Sequence, residues 1–257
     1  MELGLKGKTA LVTGASRGIG YGVSRLLAAE GCTLHLAARS AADLEAARQS
    51  LITAHGANVT IHPLDLGVSA NAGRLAQACG PLDILVNNAG AIPHGALDKL
   101  DEATWREAWD LKVFGFINLT RAVYGAMRAR RRGVVVNVIG IAGERPTAGY
   151  IAGSMGNASL MAMSRALGAE SPQYGVRVVA VNPGSIETDR QVMRLKARAK
   201  AQLGDENRWR ELTVQLPFGR LGTVDELAAV VVFLASERAS YLSGTVVTVD
   251  GGAAARA

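Results

Sequence analysis

Near the start of the chain, Thr9-Ala10-Leu11-Val12-Thr13-Gly14-Ala15-Ser16-Arg17-Gly18-Ile19-Gly20 has the residue types and spacing to hold a phosphate. Ala10 to Thr13 is a short apolar run that reads as a buried strand. Val23, Leu26 and Leu27 follow with helical periodicity. Between them, Gly14, Gly18 and Gly20 stand where the backbone must turn tightly, admit an anion and let a helix lie against a sheet. The helix start offers unpaired N–H groups and a partial positive charge. The spacing is Gly-x-x-x-Gly-x-Gly rather than the Gly-x-Gly-x-x-Gly of the dinucleotide fingerprint.

Stepping along the chain, strand and helix patterns alternate. Strands are predicted near 8–13, 32–38, 58–63, 82–87, 133–139, 176–181 and 245–249. Helices are predicted at about 18–30, 41–54, 69–78, 101–129, 149–169 and 224–235. Strand runs such as Val134-Val135-Val136 are continuously apolar, as in a parallel sheet buried on both faces. Right-handed crossovers then give a single α/β domain over 1–257, a Rossmann-like doubly wound sheet of about seven strands with helices on both faces. A polar, basic stretch at 190–216 interrupts the alternation at a strand's C-terminal edge, where it is placed to cover a substrate.

Composition narrows the function. Apolar residues make up 49% of the chain, enough for a sizeable core, and the longest apolar run, Leu227 to Ala235, is too short to span a bilayer. The start carries no secretory pattern, and Cys32 and Cys79 lack metal-ligand spacing, so the expectation is a cytoplasmic protein with buried thiols and no metal site. The net charge is +6, but no nucleic-acid-binding fold or aromatic platform accompanies it. The Arg128, Arg130, Arg131 and Arg132 cluster falls at a predicted helix end, where cations suit the dipole. The expected ligands are small molecules, with neither nucleic acid nor membrane as partner.

With Thr13 ahead of the glycines and Ser16-Arg17 between them, the loop resembles that of the short-chain dehydrogenase/reductase family, and the resemblance runs through nearly the whole chain. It implies a nicotinamide cofactor held by Gly14, Ser16, Arg17, Gly18, Ile19 and Gly20. Ala38 stands where NAD-preferring members carry Asp, and Arg39-Ser40 follows. Arg17 and Arg39 together suit a 2′-phosphate, so NADP(H) is favoured over NAD(H). Asp65-Leu66 and Asn88-Ala89-Gly90 match the adenosine side. Ile139, with Pro183, Gly184, Ile186 and Thr188, matches the nicotinamide side. Gly244 and Asp250-Gly251-Gly252 complete the likeness.

The family's chemistry uses a tyrosine phenol, a lysine four residues on, a serine, and an asparagine on the preceding long helix. Anchored on Val136 to Gly143, the serine position is Gly140. Anchored on Leu160 and Arg165, the tyrosine position is Gly153 and the lysine position Asn157. The asparagine position falls on Asp110. All four are substituted, so an atypical active site is expected. Tyr150, three residues before Gly153, is an alternative phenol, although a helical tyrosine there would lean away from Gly153. Asn157 retains the capacity to hydrogen-bond a ribose, and His94 is the histidine best placed for acid–base work; Ser154, Glu144 and Arg145 are further candidates near the cleft. Loss of large side chains predicts a wider pocket beside the nicotinamide, and restoring Gly140→Ser, Gly153→Tyr and Asn157→Lys is expected to create carbonyl reduction, provided the glycines do not hold backbone angles closed to other residues.

Two functions follow: an NADP(H)-dependent oxidoreductase on a carbonyl or alcohol with a rebuilt site, or an NADP(H)-binding protein without redox turnover, regulatory or non-redox. The family likeness further implies a homodimer or homotetramer through helices 101–129 and 149–169, where Ala158, Ala162 and Ala166 recur every four positions.

Overall fold

A computed structural model describes residues 2–256. Strands β1 Thr9–Thr13, β2 Thr33–Ala38, β3 Val59–Pro63, β4 Ile84–Asn87, β5 Gly133–Val138, β6 Val176–Pro183 and β7 Val246–Val249 form one sheet in the order β3-β2-β1-β4-β5-β6-β7. Every pairing is parallel. The order reverses between β1 and β4, which opens a crevice at the C-terminal strand edges. All seven predicted strands are present.

Helices α1 Gly18–Ala29, α2 Ala41–His55, α3 Ser69–Cys79, α4 Glu102–Trp109, α5 Gly115–Arg130, α6 Ile151–Glu170, α7 Asp189–Leu203 and α8 Val224–Ala235 cover both faces. Successive side chains of a strand point to opposite faces, and both faces are buried. Val12, Leu36, Val86 and Val136 pack under α1, α2 and α8 with Val23, Leu44 and Leu227. Leu11, Leu85, Val135 and Val178 pack under α3 and α5 with Leu75, Leu119 and Val123. This is why the strands read as unbroken apolar runs.

Side-chain hydrogen bonds lock the strand ends. Asn87 Nδ2 donates to Thr120 Oγ1 at 3.0 Å and Asn137 Oδ1 at 2.9 Å. Asn137 Nδ2 donates to Ser164 Oγ at 2.9 Å, and Ser164 Oγ to the Leu160 carbonyl at 2.7 Å. Thr13 Oγ1 accepts from the N–H groups of Asn88 and Ala89 at 2.9 and 3.0 Å, tying β1 to the turn after β4.

Three local features differ from the sequence reading. The long helix predicted at 101–129 is α4 and α5 joined by a π turn, Asp110–Phe114, whose extra residue shifts which side chains face the sheet. The helix predicted from 149 begins at Ile151, with Tyr150 as its non-helical N-cap at φ −141° and ψ 40°. The 190–216 excursion contains α7 and short 3₁₀ turns, with a small core of Leu195, Ala199, Trp209 and Leu221. The arginines at the end of α5 are also engaged: Arg132 meets Asp83 at 2.7 Å, and Arg128 lies 3.6 Å from the Tyr174 ring centre. Among the described residues no helix is long and apolar enough to cross a membrane.

Candidate active site

A cleft of about 210 Å³ lies at the C-terminal strand edges. Ile19 reaches it from α1, Gly90, Ala91, Ile92 and His94 from the loop after β4, and Lys112 from the π turn. Ile139 enters after β5, Tyr150 and Asn157 from α6 and its cap, and Gly184, Ile186 and Thr188 after β6. Arg190, Gln191 and Arg194 of α7 close the remaining side.

At one end, the glycine turn makes an anion cradle. Gly14 and Gly18 have φ of +64° and +57°, open to glycine at little cost. A Cβ on Gly20 would lie 2.2 Å from the Gly14 carbonyl oxygen. Helix α1 has no side-chain cap, and its first N–H groups have no acceptor within the helix. Thr188 Cγ2 stands 3.5 Å from the Cβ position of Gly18 and forms the opposite wall. The cradle fits a pyrophosphate. Arg17 and Arg39 are exposed, and Arg17 lies within the glycine turn itself.

Several residues matched to the cofactor by sequence also hold the local structure. The Asn88 amide donates to the carbonyls of Thr13 and Gly14, so it shapes the glycine turn. Ser40 caps α2 by accepting from the Asp43 N–H at 3.2 Å. Asp65 Oδ1 accepts from the Gly67 N–H at 2.8 Å, and Leu66 is buried under α3 and α5. Beside Gly90 a Cβ would lie 2.2 Å from Lys112 Cδ, so this glycine makes room for the lysine stem.

The other end of the cleft holds Asn157, with Gly140 and Gly153 beside it, three of the positions that the family likeness matches to catalytic residues. The Tyr150 ring occupies the space above Gly153: a Cβ there would lie 2.1 Å from Tyr150 Cε1 and Cζ. The expected lean away from Gly153 does not occur, because Tyr150 precedes the first helical turn and helical side-chain directions do not govern it. The expected widening beside residue 153 is filled for the same reason. Tyr150 stacks on His94 at 4.2 Å between ring centres. Burial pushes the Tyr150 phenol up, and nearby Arg190 and Arg194 oppose that shift. Burial first, then the charges of Arg194 and Arg190, holds His94 below its ordinary value.

Asp110 does not face the cleft; it is exposed and lines an outer groove with Trp105 and Phe114. Lys112, two residues on, faces inward. It is buried, its Nζ donates to the Val138 carbonyl at 2.8 Å and sits 4.4 Å from the Phe116 ring centre. Desolvation holds its pKa down to about 7. Asn157 is buried across from Gly140 and lines the cleft. Gly140 has φ +146° and ψ 143°, a conformation essentially confined to glycine, and a Cβ there would lie 2.8 Å from Asn157 Nδ2. Restoring serine therefore strains the backbone, and restoring tyrosine at 153 collides with Tyr150; the triple substitution does not rebuild the family site.

The remaining candidates are engaged elsewhere. Ser154 Oγ accepts from the Thr147 N–H at 3.2 Å. Glu144 accepts from Asn182 at 3.0 Å and Thr248 at 2.9 Å, and Arg145 donates to the Ala253 carbonyl at 2.6 Å. Against the expectation from spacing, three side chains of metal-ligand type do converge, on β2, β3 and α3. His35 Nδ1 and His62 Nε2 are 2.9 Å apart, and Cys79 Sγ is 3.7 Å from His62 Nε2. The two imidazoles satisfy one another. Parallel register brings them together, which linear spacing does not reveal. The inward aim of Lys112 leaves no signal in linear spacing, because it depends on the π turn. Arg190 and Arg194 were seen only as part of a basic stretch, although their i, i+4 spacing beside Thr188 was a usable signal.

A family model described as enoyl-(acyl carrier protein) reductase matches residues 14–254. The chain is 39% identical over 254 residues to galactitol 2-dehydrogenase (L-tagatose-forming) of Cereibacter sphaeroides, covering 96% of this chain and 95% of that one. It is 33% identical over 256 residues to the 3-oxoacyl-acyl-carrier-protein reductase FabG of Chlamydia muridarum, covering 97% and 98%. Among solved structures, L-sorbose reductase from Gluconobacter frateurii complexed with NADPH and L-sorbose superposes with a TM-score of 0.94 at 31% identity, over 100% of both chains.

Two outcomes follow from this geometry. Gly153→Ala should destabilise the protein by about 1–3 kcal/mol through overpacking against Tyr150. In a Tyr150→Ala background the same change should be neutral or stabilising, since alanine exceeds glycine in helix propensity by about 1 kcal/mol. Urea unfolding of the four proteins measures the cycle, and equal effects in both backgrounds would refute the ring's placement. The second outcome concerns Lys112, whose folded pKa of about 7 lies below its unfolded value. Between about pH 7 and pH 10 the unfolded chain binds the extra proton, so stability rises with pH there. Relative to Lys112→Met, the parent should gain on the order of 2 kcal/mol from pH 6 to pH 9. A stability difference that does not change with pH would contradict the burial of this ammonium.

Proposed function

The chain belongs to the short-chain dehydrogenase/reductase family, and from that premise we propose that it is an NADP(H)-dependent oxidoreductase that reduces a carbonyl, with Tyr150 as proton donor. The observation that carries this reading is the Tyr150 ring lying over Gly153, in the cleft that also holds Asn157 and the glycine-turn wall. Bound NADPH supplies a hydride to the carbonyl carbon. The chain's own task is to orient the substrate and deliver a proton to the developing alkoxide. Burial keeps the Tyr150 phenol protonated at neutral pH, which suits donation and therefore reduction. Asn157 is the residue placed to hydrogen-bond the nicotinamide ribose, and Arg17 and Arg39 to meet a 2′-phosphate. The NADPH in the L-sorbose reductase structure supports the cofactor assignment by analogy.

A second reading, cofactor binding without redox turnover, is favoured by one observation: Gly140 has a backbone that does not accept the family's serine. The excursion from α7 onward covers the substrate in either reading. Assembly as a homodimer or homotetramer is supported by Phe114 and Met155, which are 47% and 50% exposed, and by the outward-facing Ala158, Ala162 and Ala166. Light scattering reads the mass. The buried free thiols Cys32 and Cys79, both pushed up to about 12 by burial, suit a cytoplasmic setting.

Fluorescence titration should give tighter binding of NADPH than NADH by roughly 1–3 kcal/mol, and Arg39→Asp should erase or reverse that preference. Across a panel of ketones and aldehydes, Tyr150→Phe should lower the rate of NADPH oxidation by roughly 10²–10⁴-fold with NADPH affinity unchanged. Tight NADPH binding without oxidation by any carbonyl would establish the second reading instead.

A further inference from the structure

The walls of the cleft carry charge of one sign. Lys112, Arg190 and Arg194 line it, and no carboxylate does. Elsewhere the chain pairs its arginines freely: Arg25 with Asp225, Arg48 with Glu45, Arg220 with Glu226. Among the described residues neither Arg190 nor Arg194 has a carboxylate within ion-pair distance, although Glu187 and Asp189 are close in sequence. The two lie one turn apart on α7, so both guanidinium groups serve the same side. That side is set by packing, because Leu195 and Ala199 turn the apolar face of α7 to Trp209 and Leu221.

Position separates these arginines from the cofactor phosphates. The cradle for pyrophosphate is the glycine turn, and Arg17 lies within that turn. The charges of Arg190 and Arg194 fall instead on Tyr150 and His94, the end where the reacting carbonyl must lie. Two unpaired guanidinium groups beside a proton donor, in a cleft without acids, are matched by an oxyanion on the substrate.

We propose that Arg190 and Arg194 form an anchoring site for a carboxylate or phosphate group on the carbonyl substrate, which makes the preferred substrate an anion such as an oxo acid or a sugar phosphate. This rests on the oxidoreductase reading of the same cleft. The anchor fixes the far end of the substrate and leaves its carbonyl under Tyr150. Opposite charge here also raises the encounter rate, so the preference weakens as salt rises.

The test measures binding apart from turnover. The protein is saturated with NADP⁺, which has no hydride to give a ketone, and titrated calorimetrically with matched pairs. One pair is 2-oxohexanoate and 2-hexanone; the other is dihydroxyacetone phosphate and dihydroxyacetone. The expected result is binding of at least one anion about tenfold or more tighter than its neutral partner, with the better pair telling carboxylate from phosphate. Arg190→Gln and Arg194→Gln should each remove most of that preference while NADP⁺ affinity stays at the parent value, and Arg194→Lys should retain part of it. Equal binding within both pairs, or binding of neither anion at millimolar concentration, overturns the proposal. Loss of NADP⁺ affinity in the glutamine variants overturns it too, because the arginines would then serve the cofactor. Should the parent fail to bind NADP⁺, the oxidoreductase reading falls, and the same titrations without cofactor still decide whether the arginines hold an anion.

Discussion

The relay of amides from Asn87 through Asn137 to Ser164 is the constraint on which the cleft depends. These three side chains are almost wholly buried, and Asn87 and Asn137 are register partners in adjacent strands. A buried amide left unpaired costs about 1–3 kcal/mol, so the relay tolerates only one arrangement of β4, β5 and α6. Each of those elements carries part of the cleft just beyond the relay. The turn through Gly90 follows β4, Ile139 and Gly140 follow β5, and Asn157 lies two helical turns before Ser164 on α6. Thr13 extends the same discipline to β1 by holding the N–H groups of Asn88 and Ala89. Side chains at the cleft can therefore change without moving the backbone that presents them.

That fixed frame explains how the reaction centre could be rearranged. The family likeness places a tyrosine at 153 and a cation at 157. Here the phenol arrives from Tyr150, outside the helix, and fills the volume that Gly153 leaves. The inward-facing cation is on the opposite wall, at Lys112 on the π turn, where Gly90 gives it room. An amide at Asn157 takes the position from which a lysine would have faced it. Phenol, cation and amide are all present, but each comes from a different place in the chain.

The sheet was legible in the sequence because burial on both faces leaves an unbroken apolar signal, and the glycine turn because its backbone conformations restrict the residue type. The strand ends were legible as short motifs, and Asn88, Ser40 and Leu66 in them also make structural contacts. What was not legible depends on details that leave little trace in linear spacing. A π turn adds one residue to a turn, which is enough to bring Lys112 inward and leave Asp110 outside. Tyr150 was read with helical geometry although it is an N-cap. His35, His62 and Cys79 meet only through strand register and the end of α3.

Burial acts in opposite senses on the two proton-bearing groups of the cleft. It raises the phenol of Tyr150 and lowers the ammonium of Lys112 to about 7. A phenol that has given up its proton to an alkoxide is then a stronger base than the neutral Lys112 amine. In the proposed reduction the tyrosinate would therefore hold a proton more tightly than Lys112 does. At neutral pH the lysine still carries that proton part of the time, whereas an exposed lysine would hold it too tightly to give it up as readily. The same desolvation that makes Lys112 costly to fold brings its proton affinity close to neutral pH. The cations of α7 favour the phenolate and so ease its formation during transfer, without making the resting phenol ionise at neutral pH. Under the proposed reading this protonation state suits reduction, since the resting cleft has a protonated phenol and no carboxylate on its walls.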